Sequence, residues 1–323
     1  MSLAADPFRI LIVDDVHPLL LERLGTLPGV QIDYRPDLEV SAFETALRTT
    51  NGLVIRTKLK VKAEHMAAAP GLRWIARAGA GLDNIDEAAA AALGIDLMNA
   101  PEGNRDAVGE HVVGMLLSLF NKLPSAHNEV VNGQWRREAN RGIELGGKTV
   151  GLIGYGNNGR ATAQKMSGFG VKILAYDKYL SGFGDEKVVE SSMERIFEQA
   201  DILSLHLPLT AESMGLVNAD YLNRFEKPIW LVNAARGEIV KLAAVADALE
   251  NGKLLGACLD VLENEKPASR TPAEQQLYDK LAGSGRVLFS PHVAGWTVES
   301  YLKISEVLAA KIDHWFSRQR SSN

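Results

Sequence analysis

The sequence predicts an α/β protein built from two doubly wound parallel sheets, and three observations carry that reading. Short apolar runs alternate with amphipathic stretches of about ten residues, the pattern of strands joined by crossover helices. The alternation occurs twice, once before residue 100 and again from Lys148. The second series opens with an apolar run followed directly by Gly154-Tyr155-Gly156-Asn157-Asn158-Gly159. This is the G-x-G-x-x-G turn that links strand to helix where a dinucleotide binds.

In chain order, the apolar runs at 8–13, 30–34, 52–56, 74–78 and 96–99 read as strands of the first sheet. Amphipathic stretches at 19–27, 42–48 and 86–93 supply helices between them. A long helix then follows Asn104, its apolar face formed by Val108, Val112, Val113, Leu116 and Leu117, with Asn104 as the expected N-cap. The second sheet takes strands at 149–153, 172–176, 202–205, 229–232, 257–261 and 286–289, enough for a complete dinucleotide-binding sheet. The amphipathic segment 299–318 comes after that sheet is complete and is expected to pack back on the first. Residues 1–102 with 296–323 then form one domain and 103–295 the other, with a cleft at the two crossings.

A chain of 323 residues suits two domains at roughly 150 residues each. Its 46% hydrophobic and 23% charged residues are ordinary for a globular protein, and a net charge of −5 with no basic block points away from nucleic acid and anionic membranes. No apolar run is long enough to span a bilayer, and the N-terminus lacks a signal-peptide pattern. The single cysteine, Cys258, has apolar neighbours and reads as a core thiol. The expected location is cytoplasmic. His17, His65, His127 and His314 form no spacing that suggests a metal site, and His111, on an apolar helix, reads as a core residue.

The chemistry is expected beyond the carboxyl ends of the strands, where ligands sit in doubly wound sheets. In the glycine turn, Gly154 permits the tight bend, Gly156 lets backbone approach a pyrophosphate, and Gly159 lets helix and strand pack closely. Asp177 ends the next strand, where its carboxylate would accept from both ribose hydroxyls and repel a 2′-phosphate. NAD is therefore expected over NADP, with Lys178 softening the repulsion. Further strand ends carry His206, Arg236, Asp260 with Glu265, and His292. His292 has the ordinary pKa for proton transfer near neutrality. Glu265 is the carboxylate to orient it, and Arg236 a permanent cation to grip a substrate carboxylate in two-pronged fashion. Asp260 is placed to accept from a nicotinamide carboxamide. Together these suit reduction of a 2-oxo acid.

The chain resembles the D-isomer-specific 2-hydroxyacid dehydrogenases over essentially its whole length. The matching stretches are 77–86 (Arg77-Ala78-Gly79-Ala80-Gly81-Leu82-Asp83-Asn84-Ile85-Asp86), Asn99-Ala100-Pro101 with Asn104, and the glycine turn with Asp177. Four more follow: 205–210, 233–237, 259–265 and 291–295. The resemblance implies an Arg236, Glu265 and His292 catalytic set, and a Rossmann NAD-binding domain inserted into a flavodoxin-like substrate domain. It also implies a homodimer built mainly through the NAD-binding domains. Gly154, Gly156, Asn157, Asn158, Gly159, Asp177, His206, Pro208, Thr210, Ala234, Ala235, Arg236, Asp260, His292 and Gly295 fall on its cofactor positions. Glu265 stands where the family's formate dehydrogenases have glutamine and argues against that branch.

Within the family the sequence looks most like the 3-phosphoglycerate dehydrogenases of serine biosynthesis. Arg56 and Arg77 stand where that branch meets a substrate phosphate, and Ala78, Gly79 and Ala80 are expected to offer backbone amides to the carboxylate, with Lys58 a further cation. Trp135-Arg136-Arg137 also matches the branch. With only about 30 residues after His292, no appended serine-sensing domain and no serine feedback are expected. Departures are Asn157-Asn158 for a common Arg-Ile, Gly109 for a usual alanine, and Lys266 between Glu265 and Pro267. Arg160 is the candidate to replace the missing cation. The alternatives are a glyoxylate or hydroxypyruvate reductase, or a dinucleotide-sensing regulator like the family's corepressors.

Overall fold

The computed structural model describes residues 6–321 and divides into two compact units. One runs to Asn104 and resumes at Trp296; the other is Arg105–Gly295.

The first unit winds β1 (Phe8–Ile12), α1 (Pro18–Gly25), β2 (Val30–Tyr34), α2 (Val40–Leu47), β3 (Gly52–Ile55), α3 (Ala63–Ala67), β4 (Trp74–Arg77), α4 (Glu87–Ala92) and β5 (Asp96–Asn99). Its sheet is parallel, in the order β2-β1-β3-β4-β5, the flavodoxin-like arrangement. Period-2 alternation sorts β1 between two cores: Ile10 and Ile12 pack on one face, Leu11 and Val13 on the other.

Helix α5 (Pro101–Phe120) carries the chain from one unit to the next. It starts three residues before the expected N-cap: Pro101, with φ preset and no amide to waste, opens it, and Asn104 lies inside the first turn. Gly103 is required there, because a Cβ would meet the backbone of Ile304.

The second unit continues with α6 (Leu123–Val131), β6 (Thr149–Ile153), α7 (Asn157–Met166), β7 (Lys172–Tyr176), β8 (Val188–Glu190), α8 (Met193–Gln199), β9 (Ile202–Leu205), α9 (Ala219–Asn223), β10 (Ile229–Asn233), α10 (Leu242–Glu250), β11 (Leu254–Leu259), α11 (Pro272–Gly283) and β12 (Val287–Phe289). Its seven-stranded parallel sheet has the order β12-β11-β10-β9-β6-β7-β8, a Rossmann order extended by one strand. Strand β8 has only three residues, too short to show as a period in sequence. The strand expected at 257–261 lies at Leu254–Leu259, so Asp260 directly follows its end. Gly109 is the point at which α5 crosses α7: a Cβ would press on the Ala161 backbone at 3.0 Å, leaving no room for alanine without a shift.

Finally α12 (Val298–Ser321) lays Ile304, Leu308, Ile312, Trp315 and Phe316 into the core beneath Ile10 and Ile12. No described helix is long and apolar enough to cross a membrane.

Candidate active site

The glycine turn is shaped by its own backbone. Gly154 takes φ +90° with its Cα against the His206 carbonyl, and Gly159 lies so close to the Gly154 carbonyl that a Cβ would collide with it. Gly156, the N-cap of α7, has no atom within 4 Å of where a Cβ would stand. A closed turn with one open glycine at a helix N-terminus fits a dinucleotide pyrophosphate. Asn157 and Asn158 are the first two residues of α7 and not part of the preceding loop. Arg160, the candidate cation, rests on the turn itself: its Nε donates to the Tyr155 carbonyl at 3.1 Å and its guanidinium lies over the Tyr155 ring.

Asp177 does more than the sequence suggests. Oδ2 accepts from the Tyr155 amide at 2.7 Å, tying the glycine turn to the end of β7. Oδ1 accepts from Tyr179 and Leu180 amides at 2.9 and 3.1 Å, closing its own turn. Three of the carboxylate's roughly four acceptor positions are thereby taken within the protein, the remaining one lying on Oδ2. Lys178 is turned to Glu212, 2.6 Å from its Oε2, so its cation is neutralised.

The loop after β9 carries His206, Pro208 and Thr210. Burial pushes His206 down to about 4, so it is neutral, with Nε2 3.0 Å from the Ser204 hydroxyl. Ser213, which sequence reasoning passed over, pins this loop by donating to the Pro208 carbonyl and accepting from the Thr210 amide. The Thr-x-x-Ser spacing was the available signal.

Three loops at successive strand ends carry the proposed catalytic set. Buried Asn233 ends β10, accepts from the Ala235 amide at 3.1 Å and donates to the Arg236 carbonyl at 2.9 Å, so it folds Ala234, Ala235 and Arg236 around itself. Gly237 closes the loop, since a Cβ there would run into the Leu262 carbonyl. After β11, Glu265 reaches His292, whose Nδ1 stands 2.9 Å from Oε1 and 3.0 Å from Oε2. Both side chains remain nearly half exposed.

His292 sits at φ +55°, a left-handed conformation that costs a residue with a Cβ about 1–3 kcal/mol and persists only where surroundings enforce it. The enforcing group is Asp260, 2% exposed. Its carbonyl accepts the His292 amide at 2.8 Å, its Oδ1 the Val293 amide and its Oδ2 the Ala294 amide, both at 2.9 Å. Burial raises the Asp260 pKa, but donors from His111, Ser290, Ala294 and Val293 outweigh it and hold the carboxyl below its ordinary value. His111 is thus not a core residue: it is one-quarter exposed, with Nε2 2.8 Å from the Ser290 hydroxyl. Gly295 ends the unit three residues later.

In the first unit, Arg56 lies where the sheet order reverses, after β3 and beside β1, the place where doubly wound sheets bind ligands. Its amide donates to Asp14 at 2.6 Å, its Nη1 to the Asp15 carbonyl at 3.2 Å, and its guanidinium stacks 4.1 Å from the Trp296 ring centroid. Tyr301, 5.7 Å from the same guanidinium, donates to Asp15. Arg77, the last residue of β4, folds its guanidinium across Gly79, which has no Cβ to obstruct it. Two of the three expected amide donors are engaged within the protein: Ala78 donates to Ile55 and Gly79 to Arg77. Ala80 is the remaining one. Lys58 donates to the Pro36 carbonyl at 2.9 Å.

Residues 113–294 match the family model described as D-isomer specific 2-hydroxyacid dehydrogenase, NAD binding domain. D-3-phosphoglycerate dehydrogenase of Bacillus subtilis is 33% identical over 309 residues, 94% of this chain and 56% of that one. The chain thus spans about half the length of the curated relatives it matches. Among solved structures, an NADPH-dependent glyoxylate/hydroxypyruvate reductase from Sinorhizobium meliloti, in complex with NADP and malonate, is 30% identical with a TM-score of 0.78, covering 97% of this chain and 94% of that one. A D-lactate dehydrogenase from Aquifex aeolicus, complexed with NAD and lactic acid, shares the fold at TM-score 0.83 and 24% identity, covering 97% and 96%.

Proposed function

The chain belongs to the D-isomer-specific 2-hydroxyacid dehydrogenase family, and we propose that it interconverts a D-2-hydroxy acid and its 2-oxo acid, 3-phosphoglycerate and 3-phosphohydroxypyruvate being the preferred pair. The observation that carries the chemistry is the Glu265–His292 contact on a strained turn. With Nδ1 held by the carboxylate, Nε2 is the atom that gives the carbonyl oxygen its proton, or removes it in the oxidative direction. Bound NADH supplies the hydride to C2. Arg236 binds the substrate carboxylate and polarises the neighbouring carbonyl, as a cation that never deprotonates. Because His292 and Glu265 are nearly half exposed, solvent can restore the proton after each turnover.

The phosphorylated substrate is supported by the two arginines at the strand ends of the first unit, and by the curated relatives named D-3-phosphoglycerate dehydrogenase. A reductase of glyoxylate or hydroxypyruvate is the second reading, favoured by the Sinorhizobium meliloti structure. In that case Arg56 and Arg77 serve the carboxylate or the fold. A cytoplasmic homodimer is part of the proposal. Leu123, Val130, Val131 and Trp135 are 54%, 52%, 70% and 83% exposed on and after α6, an apolar stripe that a second copy would cover.

The test is NADH oxidation with 3-phosphohydroxypyruvate, hydroxypyruvate, glyoxylate and pyruvate, using the wild type, His292→Ala and Arg56→Leu. Loss of a proton donor should lower kcat by about 10²–10⁴-fold. Arg56→Leu should raise KM for the phosphorylated acid by at least about tenfold and leave glyoxylate nearly unaffected. Turnover confined to unphosphorylated acids would replace the first reading by the second. Full activity in His292→Ala would remove the assigned proton donor.

A further inference from the structure

We propose that His111 is a positioning residue for the proton-transfer histidine: through Ser290 and Asp260 it fixes the left-handed turn that presents His292. The inference rests on the reading of His292 as proton donor.

Three contacts link the two histidines. The His111 Nε2 stands 2.8 Å from the Ser290 hydroxyl, and that hydroxyl stands 2.6 Å from Asp260 Oδ1. An ionised carboxylate can only accept, so the single hydroxyl proton of Ser290 points to Asp260. Ser290 must then accept from His111, which fixes the imidazole in the tautomer with its proton on Nε2. The same Nε2 is 3.5 Å from Asp260 Oδ1, so His111 supports the carboxylate both through the serine and directly.

Asp260 in turn holds the turn. Its two carboxylate oxygens take the amides of Val293 and Ala294, and its carbonyl takes the amide of His292, the residue at φ +55°. A conformation of that kind is kept only while its surroundings over-determine it. Among the described residues, every donor to Asp260 except His111 comes from the segment Ser290–Ala294 itself. His111, on α5, is therefore the donor that ties the carboxylate to a helix outside this segment, beside the weaker contact of the Ser290 hydroxyl with Met115 Sδ at 3.5 Å on the same helix. Without it, a carboxylate with 2% exposure loses its outside donor and can turn with the loop. Displacing a proton donor by about 1 Å lowers turnover by up to about 100-fold without removing any group that touches substrate.

The experiment uses the full chain, ¹⁵N-labelled, as His111→Phe, His111→Gln, Ser290→Ala and the His111→Phe/Ser290→Ala double variant. Phe fills the space without a donor; Gln places an amide nitrogen near the position of Nε2. His111→Phe should lower kcat about tenfold or more with KM for the 2-oxo acid within about threefold. Its Val293 and Ala294 amide protons should move upfield as their bonds to Asp260 lengthen. His111→Gln should restore most of both, and the double variant should be no worse than the poorer single one. Unchanged kcat in His111→Phe, additive losses, or lost turnover with both amide signals unmoved would each overturn the assignment. Should His111→Phe fail to fold, the same readouts on His111→Gln and Ser290→Ala decide between anchoring and its absence. The amide signals need no turnover, so a wild type inactive on every 2-oxo acid would refute the proposed function while the anchoring by His111 is still read directly.

Discussion

The two units share an architecture and hold their functional strand ends in different ways. In the seven-stranded unit the backbone itself is strained or crowded at these ends, and the side chains of Asp177, Asn233 and Asp260 tie its amides. Gly154 and His292 take positive φ, Gly159 and Gly237 sit where any Cβ would strike a carbonyl, and Asp260 bonds three amides of one turn. In the five-stranded unit the only positive φ values among described residues belong to Gly29 and Gly94, which lead into β2 and β5 at the opposite ends of the strands. Its functional ends are held by side chains: Asp14 and Trp296 on Arg56, Asn84 on the Arg56 carbonyl, Asn99 on the Ala80 carbonyl. The difference separates two requirements. Under the proposed function, cofactor and proton chemistry require one geometry, which the strained turn at His292 would fix. On the same reading, substrate contacts at Arg56 and Arg77, held by side chains, would change by single substitutions without rebuilding a turn.

The largest effect should come from attacking the backbone devices. Gly159→Ala puts a methyl group onto the Gly154 carbonyl, and overpacking of that kind should lower Tm by about 5 °C or more. Gly156→Ala adds the same methyl group into open space and should leave Tm within about 1 °C. It nevertheless blocks the approach of a pyrophosphate, so NADH affinity, followed by fluorescence, should fall about tenfold or more. Equal Tm losses in both variants would mean that the turn is not divided into a structural and a binding glycine.

A smaller effect is expected from the side-chain devices of the first unit. Trp296 is 46% exposed, so its replacement by leucine should hardly change Tm. It does remove the aromatic face under Arg56, an interaction worth about 0.5–2 kcal/mol. KM for a phosphorylated 2-oxo acid should rise about 3- to 10-fold, and kcat for an unphosphorylated one should hold. A Tm loss as large as that of Gly159→Ala would erase the contrast between the units.

How much of this was legible in the sequence follows the same division. The glycine turn, Asp177, Arg236, Glu265 and His292 could be located because strand ends and glycine spacing are local signals, readable along the chain. The contacts that hold them could not. Asp260 and Ser290 are 30 residues apart, and His111 lies 179 residues from Ser290, so no local pattern links them. A histidine on an apolar helix face reads as core for the same reason. Asn104 reads as a cap because the apolar helix face begins near it, yet Pro101 starts the helix earlier. Ala78 and Gly79 look like free donors because a sequence does not display which amides Ile55 and Arg77 already take.

The smallest effect is the one that sharpens the comparison most, because it concerns the place where the seven-stranded unit relies on exposed side chains. Lys178 follows the ribose-end carboxylate and is paired with Glu212 at 2.6 Å, with Tyr179 donating to the same oxygen at 3.2 Å. The hydrogen bond that Lys178 donates to Glu212 is the leading reason that its pKa is held above the ordinary value, so the pair stays ionised well past neutrality. Both side chains are more than half exposed, and such a pair adds little to stability. Its effect is on charge: Glu212 neutralises a cation next in sequence to Asp177, the expected ribose-end carboxylate. Glu212→Gln should leave NAD binding within about twofold and improve NADP binding about 3- to 10-fold at low salt, the gain fading as ionic strength rises. Calorimetric titration with each dinucleotide measures this without any substrate. If cofactor choice is instead fixed by Asp177, whose carboxylate is bound into two turns by three amides, then Glu212→Gln will change neither affinity, and the preference for NAD belongs with the backbone devices after all.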